Sequence, residues 1–189
     1  DISSIIYTHE HADQTNGLFE LRSFYWKNKK KINIYGSLQT LKRLKLTFDY
    51  LFFSMHGYPA IVKANLIKKN FSLGIHKEKI NFRTYQVKHG PISSTAYIFN
   101  NAAYISDCND LSITKIKSLR NLKYLVLDCL RYSKSSVHFG LNEALYVQSI
   151  LKPKKTILTN LNCDLDYDTL LSILPKNVLP AYDGMKLNL

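Results

Sequence analysis

The sequence predicts a single α/β domain, and two observations support that fold class. Short runs rich in β-branched and aromatic residues alternate with longer segments whose apolar residues recur at helical spacing. Polar and titratable residues follow several of the predicted strands directly, which is where layered α/β proteins build their sites. The chain contains no internal repeat and no linker-like stretch, so we interpret residues 1–189 as one domain.

Two strands and two helices are predicted in the N-terminal part of the chain. The strands are a buried run from Ile2 to Thr8 and a shorter one from Lys31 to Tyr35, and the helices extend from Thr15 to Asn28 and from Leu38 to about Tyr50. Ser37 is a suitable N-cap for the second helix, because a serine hydroxyl accepts a hydrogen bond from the first turn. Residues 51–81 show no clean period, so no element is predicted there.

The C-terminal part is predicted to hold five strands and three helices. The strands are Phe82 to Lys88, Thr95 to Phe99, Ala102 to Ser106, Tyr124 to Leu130 and Lys155 to Leu158; the helices are Ser112 to Leu119, Gly140 to Leu151 and Asp168 to Leu174. Asn100-Asn101 separates two of the strands, and that dipeptide is typical of a tight hairpin turn.

Charge and cysteine content limit the classes of function. The chain carries 26 basic and 14 acidic side chains, a net charge of +12, which favours anionic partners. The lysines are scattered, and an AT-biased genome explains them at least as well, so nucleic acid is not the favoured partner. No apolar run reaches the ~18 residues of a membrane helix. Cys108, Cys129 and Cys163 lack paired spacing, which argues against disulfides and fits a reducing cytoplasm.

Histidines and aspartates gather at the ends of the predicted strands. His9, His11 and Asp13 follow the first strand. Later in the chain, His89 follows one predicted strand, Asp107 ends the hairpin, and His138 comes after the strand that begins at Tyr124. Residues two apart in an extended segment point the same way, so the two rings of His-x-His can reach one ion. Imidazoles and carboxylates from separate loops are what a catalytic zinc or manganese site requires.

Six stretches of the chain together resemble a known family. They are "THEHADQTNG", "VKHGP", "AYISDCND", "VHFGLNEAL", "TILTNLNCDLDY" and "AYDGMKL", in that order between Thr8 and Leu187. They resemble the motifs of the metallo-β-lactamase fold hydrolases. More specifically, they resemble the phosphodiesterases associated with carbon–phosphorus lyase pathways, with the tRNA 3′-end endonucleases as more distant relatives. The resemblance implies an αβ/βα sandwich.

The resemblance also implies a set of site residues. It makes His9, His11 and His89 the ligands of a first metal ion, with Asp107 bridging to a second ion and Asp13 as a ligand of that second ion. Gln14 and Asn160 stand where the family has the other two histidines of the second ion, and an amide is a much weaker zinc ligand than imidazole. The resemblance therefore implies one ion of zinc or manganese per chain.

Roles in catalysis follow from the same resemblance. His138 matches the histidine that assists the leaving group, so it is expected to act as general acid, and Asp13 is the second residue expected to be catalytic. Asp183 lies in the closing motif and is expected to orient a site histidine.

Three functions remain open on the sequence alone. The favoured one is a cytoplasmic, metal-dependent hydrolase of small phosphodiester-like or other anionic substrates, with reduced activity because of Gln14 and Asn160. The alternatives are an inactive relic of such a hydrolase and a basic nucleic-acid-binding protein without catalysis. Only eight residues precede His9, where the family carries further strands. Either the sandwich lacks N-terminal strands, leaving an open edge that a homodimer could cover, or the chain is incomplete.

Overall fold

The computed structural model describes residues 2–75, 78–112 and 119–189. The chain forms two compact units, Asp1–Glu78 and Lys79–Leu189, and each unit has its own hydrophobic core. Both units combine a β-sheet with helices, so the predicted α/β class is confirmed. The expectation that the whole chain is one domain stays a prediction.

A three-stranded parallel sheet forms the framework of the first unit. Its strands are β1 (Ser4–Ile6), β2 (Ile32–Gly36) and β3 (Val62–Leu66), in the order β1-β2-β3. The other elements of this unit are α1 (Ala12–Thr15), a 3₁₀ helix (Asn16–Glu20), α2 (Leu21–Asn28), α3 (Leu38–Thr47), α4 (Asp49–Phe52) and β4 (Asn70–Ile75). Because the strands are parallel, the loops that follow β1 and β2 lie at the same edge of the sheet.

Several N-terminal predictions are confirmed, and others need correction. Ser37 caps α3 as expected, with its hydroxyl accepting a hydrogen bond from the Thr40 N–H at 3.1 Å. The predicted helix from Thr15 to Asn28 is divided into a 3₁₀ helix and α2. The predicted strand from Ile2 to Thr8 is shorter and only half-buried, because its burial begins at Tyr7, after the strand ends.

The second unit is built on strands β5 (Glu78–His89), β6 (Ile92–Phe99), β7 (Ala102–Ile105), β8 (Tyr124–Asp128), β9 (Lys155–Thr159) and β10 (Val178–Pro180). Within this unit they lie side by side in the order β10-β9-β8-β7-β6-β5. The Asn100-Asn101 hairpin is confirmed: both residues have positive φ, 43° and 61°, as a type I′ turn requires.

Strand direction brings several loops of the second unit together. β7, β8, β9 and β10 are mutually parallel, and β6 is antiparallel to both β7 and β5. β5 therefore runs in the same direction as β7. The carboxyl ends of β5, β7, β8 and β9 consequently meet at one edge of the sheet, which is where open α/β sheets bind ligands.

Apolar packing fixes this sheet in place. Ile105, Leu125 and Leu127 on the strands are fully buried. The helix Leu141–Leu151 packs in the same core through Leu141, Ala144, Val147 and Leu151, at a spacing of three or four residues. A further helix spans Tyr167–Ile173.

Two more points complete the comparison with the sequence. The helix predicted from Ser112 to Leu119 falls almost wholly outside the described residues. Among the helices of the described ranges, none has the length and apolar character that crossing a membrane requires.

Candidate metal centre

The first unit presents His9 and His11 in the loop after β1. Their ring centroids lie 4.6 Å apart at an angle of 79°. The residue between them, Glu10, is held at α3, where its carboxylate accepts hydrogen bonds from Gln39 at 2.6 Å and from Thr40 at 3.1 Å. These bonds tie the loop to the start of α3.

The first unit also shows what Gln14 does. The Gln14 amide donates a hydrogen bond to the Asp13 carboxylate at 2.9 Å. Partial burial by itself would raise the pKa of Asp13, but the hydrogen bond from Gln14, a backbone hydrogen bond and the nearby rings of His9 and His11 hold the pKa below its usual value. Gln14 is thus a hydrogen-bond donor to Asp13, a role that an apolar residue at this position could not fill.

In the second unit, four polar side chains converge from the carboxyl ends of the strands. His89 ends β5, Asp107 follows β7, Asp128 ends β8 and Asn160 follows β9. Asp107 and Asn160 have φ values of 51° and 61°, a left-handed conformation that aspartate and asparagine tolerate better than most residues. Such backbone conformations are common at functional sites.

The ring of His89 is oriented by a backbone carbonyl. Its Nδ1 lies 2.7 Å from the oxygen of Val137, and a carbonyl can only accept, so Nδ1 carries the hydrogen. Nε2 of the neutral ring then has the lone pair, and it lies 3.9 Å from Asp107 Oδ1. Asn109 ties the same region together, because its side chain accepts from Gly90 N–H at 3.0 Å and donates to Ser136 O at 2.8 Å.

The ring of His138 is oriented in the same way by a carboxylate. Its Nδ1 lies 2.9 Å from Asp128 Oδ2, and its Nε2 lies 4.0 Å from Asp107 Oδ1. Asp128 is fully buried and also accepts hydrogen bonds from the backbone N–H groups of Cys108 and Phe139. A buried carboxylate that holds the far side of a histidine is the usual support of a metal-binding or proton-transferring imidazole.

Asn160 joins the two carboxylates of this centre. Its Nδ2 donates to Asp107 Oδ2 and to Asp128 Oδ1, both at 2.9 Å. Because Asp107 Oδ2 is bound in this way, Oδ1 faces the two histidine rings. The residue that the resemblance assigns to a degenerate metal position therefore has a hydrogen-bonding role.

The donors suit a divalent ion of the zinc or manganese type. One atom each of His89, Asp107 and His138 all lie within 4.8 Å of one another. Two imidazole nitrogens and one carboxylate oxygen make three protein ligands, the number found in catalytic zinc sites, where water completes the shell. The chemistry of this donor set thus fits the metal that the family implies.

The predicted site residues can now be placed. The first unit holds His9, His11, Asp13 and Gln14, and the second unit brings together His89, Asp107, His138 and Asn160. Asp183 is exposed in the segment after β10, and its predicted role stays a prediction. Sequence reasoning missed Asp128, although it ends an apolar strand just as Asp107 follows one.

The comparisons with known proteins agree with this fold. Residues 1–159 match the family model of the beta-lactamase superfamily domain, so the chain belongs to that superfamily. The predicted resemblance to metallo-β-lactamase fold hydrolases of the phosphodiesterase branch is confirmed.

Particular relatives define the likeness further. One solved structure is described as a new diphosphatase from the PhnP family. It is 29% identical to this chain with a TM-score of 0.86, and the match covers 98% of this chain and 70% of the diphosphatase chain. Zinc-bound PqqB from Methylobacterium extorquens has 14% identity and a TM-score of 0.75, covering 100% of this chain and 73% of its own, and shares the fold. An octanoyltransferase from Porphyromonas gingivalis is 22% identical over 187 residues, covering 98% of this chain. The chain spans only 37% of that protein's length.

Proposed function

We propose that this chain is a metal-dependent hydrolase of phosphodiester-like substrates whose second metal position is degenerate. The observation that carries the proposal is the arrangement of His89 and His138 around Asp107. Val137 O orients the ring of His89, the proposed metal ligand, and Asp128 orients the ring of His138, the proposed proton donor, so that their Nε2 atoms lie 3.9 and 4.0 Å from Asp107 Oδ1. Superfamily membership and the diphosphatase relative support the same class of chemistry.

The metal ion, when bound, supplies Lewis-acid activation of a water molecule and of the phosphoryl oxygens. The ligand set given by the resemblance, His9, His11, His89 and Asp107, remains part of the proposal. The proposal also includes Gln14 and Asn160 as replacements of two histidine ligands, which weaken the binding of a second ion and lower the activity.

His138 is the proposed general acid of the reaction. Asp128 accepts the Nδ1 hydrogen of His138, so Nε2 is the atom that exchanges a proton with a leaving group. The buried carboxylate also stabilises the protonated ring between transfers. Asp13 is the second proposed catalytic residue, and the hydrogen bond from Gln14 favours its ionised form.

The proposed partners are small anionic esters. The net charge of +12 favours phosphate-bearing substrates over neutral ones. A homodimer and a cytoplasmic location complete the proposal, and nucleic acid is not the favoured partner. The competing interpretation is an inactive relic, which the same replacements at Gln14 and Asn160 would also produce.

One assay tests the function. The protein is freed of metal, supplied with zinc or manganese, and tested on bis(p-nitrophenyl) phosphate and on a diphosphate ester. We expect metal-dependent hydrolysis that falls about 100-fold or more in His138→Ala, because a general acid typically contributes 10²–10⁴-fold. Hydrolysis that is equal with and without metal, or equal in His138→Ala, would contradict the proposal.

A double variant separates a weakened enzyme from a relic. Gln14→His with Asn160→His should raise hydrolysis by orders of magnitude if only the second ion is missing, while each single change should do little. A double variant that binds two ions and still hydrolyses nothing would favour the relic.

A further inference from the structure

The position of His138 also suits a metal ligand, a role that the family assignment does not include. Its Nε2 faces Asp107 Oδ1 from 4.0 Å, almost the same distance at which His89 Nε2 faces that oxygen. At these distances both rings and the carboxylate could also ligate one ion.

We propose that the second unit contains an alternative cation site formed by His89, Asp107 and His138 alone. Bonds from zinc to nitrogen and oxygen are about 2.0–2.2 Å long. An ion between two donor atoms about 4 Å apart therefore reaches both with little movement. The class of ligand is a divalent transition ion that accepts mixed nitrogen and oxygen donors.

Each of the three donors is already held in the orientation that an ion needs. Val137 O fixes the ring of His89, Asp128 fixes the ring of His138, and Asn160 fixes the carboxylate of Asp107. The side chains of His89 and Asp107 are 2% and 3% exposed and that of His138 is 14% exposed, so the open side of the set lies at His138. Hydrogen bonds that hold the ligands from the side away from the ion raise metal affinity, because the ligands lose less conformational freedom on binding.

The alternative site competes with the site that the resemblance implies. His89 belongs to both donor sets, and one imidazole nitrogen has one lone pair, so it can ligate only one ion at a time. An ion held at the alternative site also occupies His138 Nε2 and withdraws that atom from proton transfer. Such a complex would be an inhibited form of the enzyme, although cation binding at this site does not itself require hydrolysis.

Cobalt binding to the full chain tests the site. The variant His9→Gln/His11→Ala removes the first-unit imidazoles, with glutamine chosen because His9 is fully buried. We expect this variant, freed of metal, to bind one Co²⁺ as measured by visible absorption and by competition with a chromophoric chelator. Adding His138→Ala should weaken that binding by ~10-fold or more. Loss of a residue that only supports a metal ligand already lowers affinity ~10–100-fold, and His138 is proposed as a ligand itself.

Matched changes provide the controls. His56 is an exposed histidine of the first unit, and His56→Ala in the same background should leave the affinity unchanged. His138→Cys should give the near-ultraviolet absorption of a cobalt–thiolate bond, and His56→Cys should not. Far-ultraviolet circular dichroism of each variant checks the fold.

Two results would overturn the site. One is a His9→Gln/His11→Ala variant that is folded and binds no Co²⁺; the other is an affinity that does not change when His138→Ala is added. Hydrolysis by the unmodified chain is measured separately. Cobalt binding as expected would support the site whether or not the unmodified chain hydrolyses a phosphodiester. Metal-dependent hydrolysis by the unmodified chain, together with no cobalt binding by the folded variant, would support the proposed function and refute the site.

Discussion

Asn160 shows how a single residue changes the balance of charge in the centre. Its two amide hydrogens meet Asp107 and Asp128, two carboxylates that are 2% and 0% exposed. Hydrogen bonds to ionised groups are worth about 1.5–3 kcal/mol each, so the amide stabilises both charges without an ion. A histidine at this position would offer a ligand nitrogen and only one N–H in its neutral form.

Replacing Asn160 by aspartate should make the second unit depend on a cation. Asn160→Asp removes both donated hydrogen bonds and adds a third carboxylate, so we expect the free energy of unfolding without metal to fall by about 2–4 kcal/mol. Adding zinc or manganese should restore more stability to this variant than to the unmodified chain. Urea unfolding with and without the ion measures both effects.

Asn160→Leu is the matched control, because it removes the hydrogen bonds without adding charge. Its stability should also fall, but the ion should restore less of it than in Asn160→Asp. Equal restoration in the two variants would refute the account of Asn160 given above.

Residues of the centre differed in how well the sequence identified them. His9, His11, Asp13, His89, Asp107 and His138 were found because each follows a predicted strand or belongs to a motif. Asp128 was missed because it was absorbed into the apolar strand from Tyr124 to Leu130, although a carboxylate at the end of such a strand needs a partner. Nothing in the sequence indicated the bonds of Asn160, which join the ends of strands far apart along the chain.

At the scale of elements, the turn between β5 and β6 supports the centre. Gly90 has φ = 56°, and a Cβ added there would lie 2.4 Å from Cγ1 of Val137. Val137 is the residue whose carbonyl orients His89. The close approach of the two segments therefore depends on glycine at this position.

Gly90→Ala should consequently loosen the ring of His89. We expect a loss of about 1–3 kcal/mol in the free energy of unfolding from the forced displacement of Val137, together with weaker Co²⁺ binding. Gly184→Ala is the control, because Gly184 also has a positive φ, 86°, but an added Cβ would meet nothing within 4 Å. Cobalt affinity that falls equally in both variants would mean that backbone strain, and not the contact with Val137, is responsible.

Elements with a clear periodic pattern were predicted well, and those without one were not. The strands around Asn100-Asn101 and the helix Leu141–Leu151 were found because turn chemistry and apolar spacing agree there. β3 and β4 were missed within residues 51–81, where no period is visible. β3 is specified by its pairing with β2, a contact that local sequence does not encode.

At the scale of the whole molecule, the cysteines should report on opening of the fold. Cys163 is exposed, whereas Cys108 and Cys129 are buried. Burial, with the nearby carboxylates Asp128, Glu143 and Asp164, raises the pKa of the Cys129 thiol to about 12. The thiol therefore remains protonated at neutral pH and should be unreactive in the folded chain.

We expect a thiol reagent at pH 8 to label one cysteine quickly and the other two only as the second unit opens. Cys163→Ser should abolish the fast phase. A divalent ion should slow the slow phase, because binding to the folded state reduces the population of open molecules. Mass spectrometry of labelled peptides follows each cysteine, and fast labelling of all three would contradict the burial of Cys108 and Cys129.

The bond between His89 and Val137 O restricts how this chain can acquire a new specificity. The segment that joins β8 to the helix Leu141–Leu151 carries His138, contacts the turn at Gly90 and receives a bond from Asn109. A loop beside a reaction centre is usually the part that evolution or a protein engineer lengthens and exchanges to admit another substrate. Here such an exchange would also remove the support of a metal ligand. Residues 131–139 should therefore accept point substitutions at their exposed positions far more readily than replacement by a loop of another length.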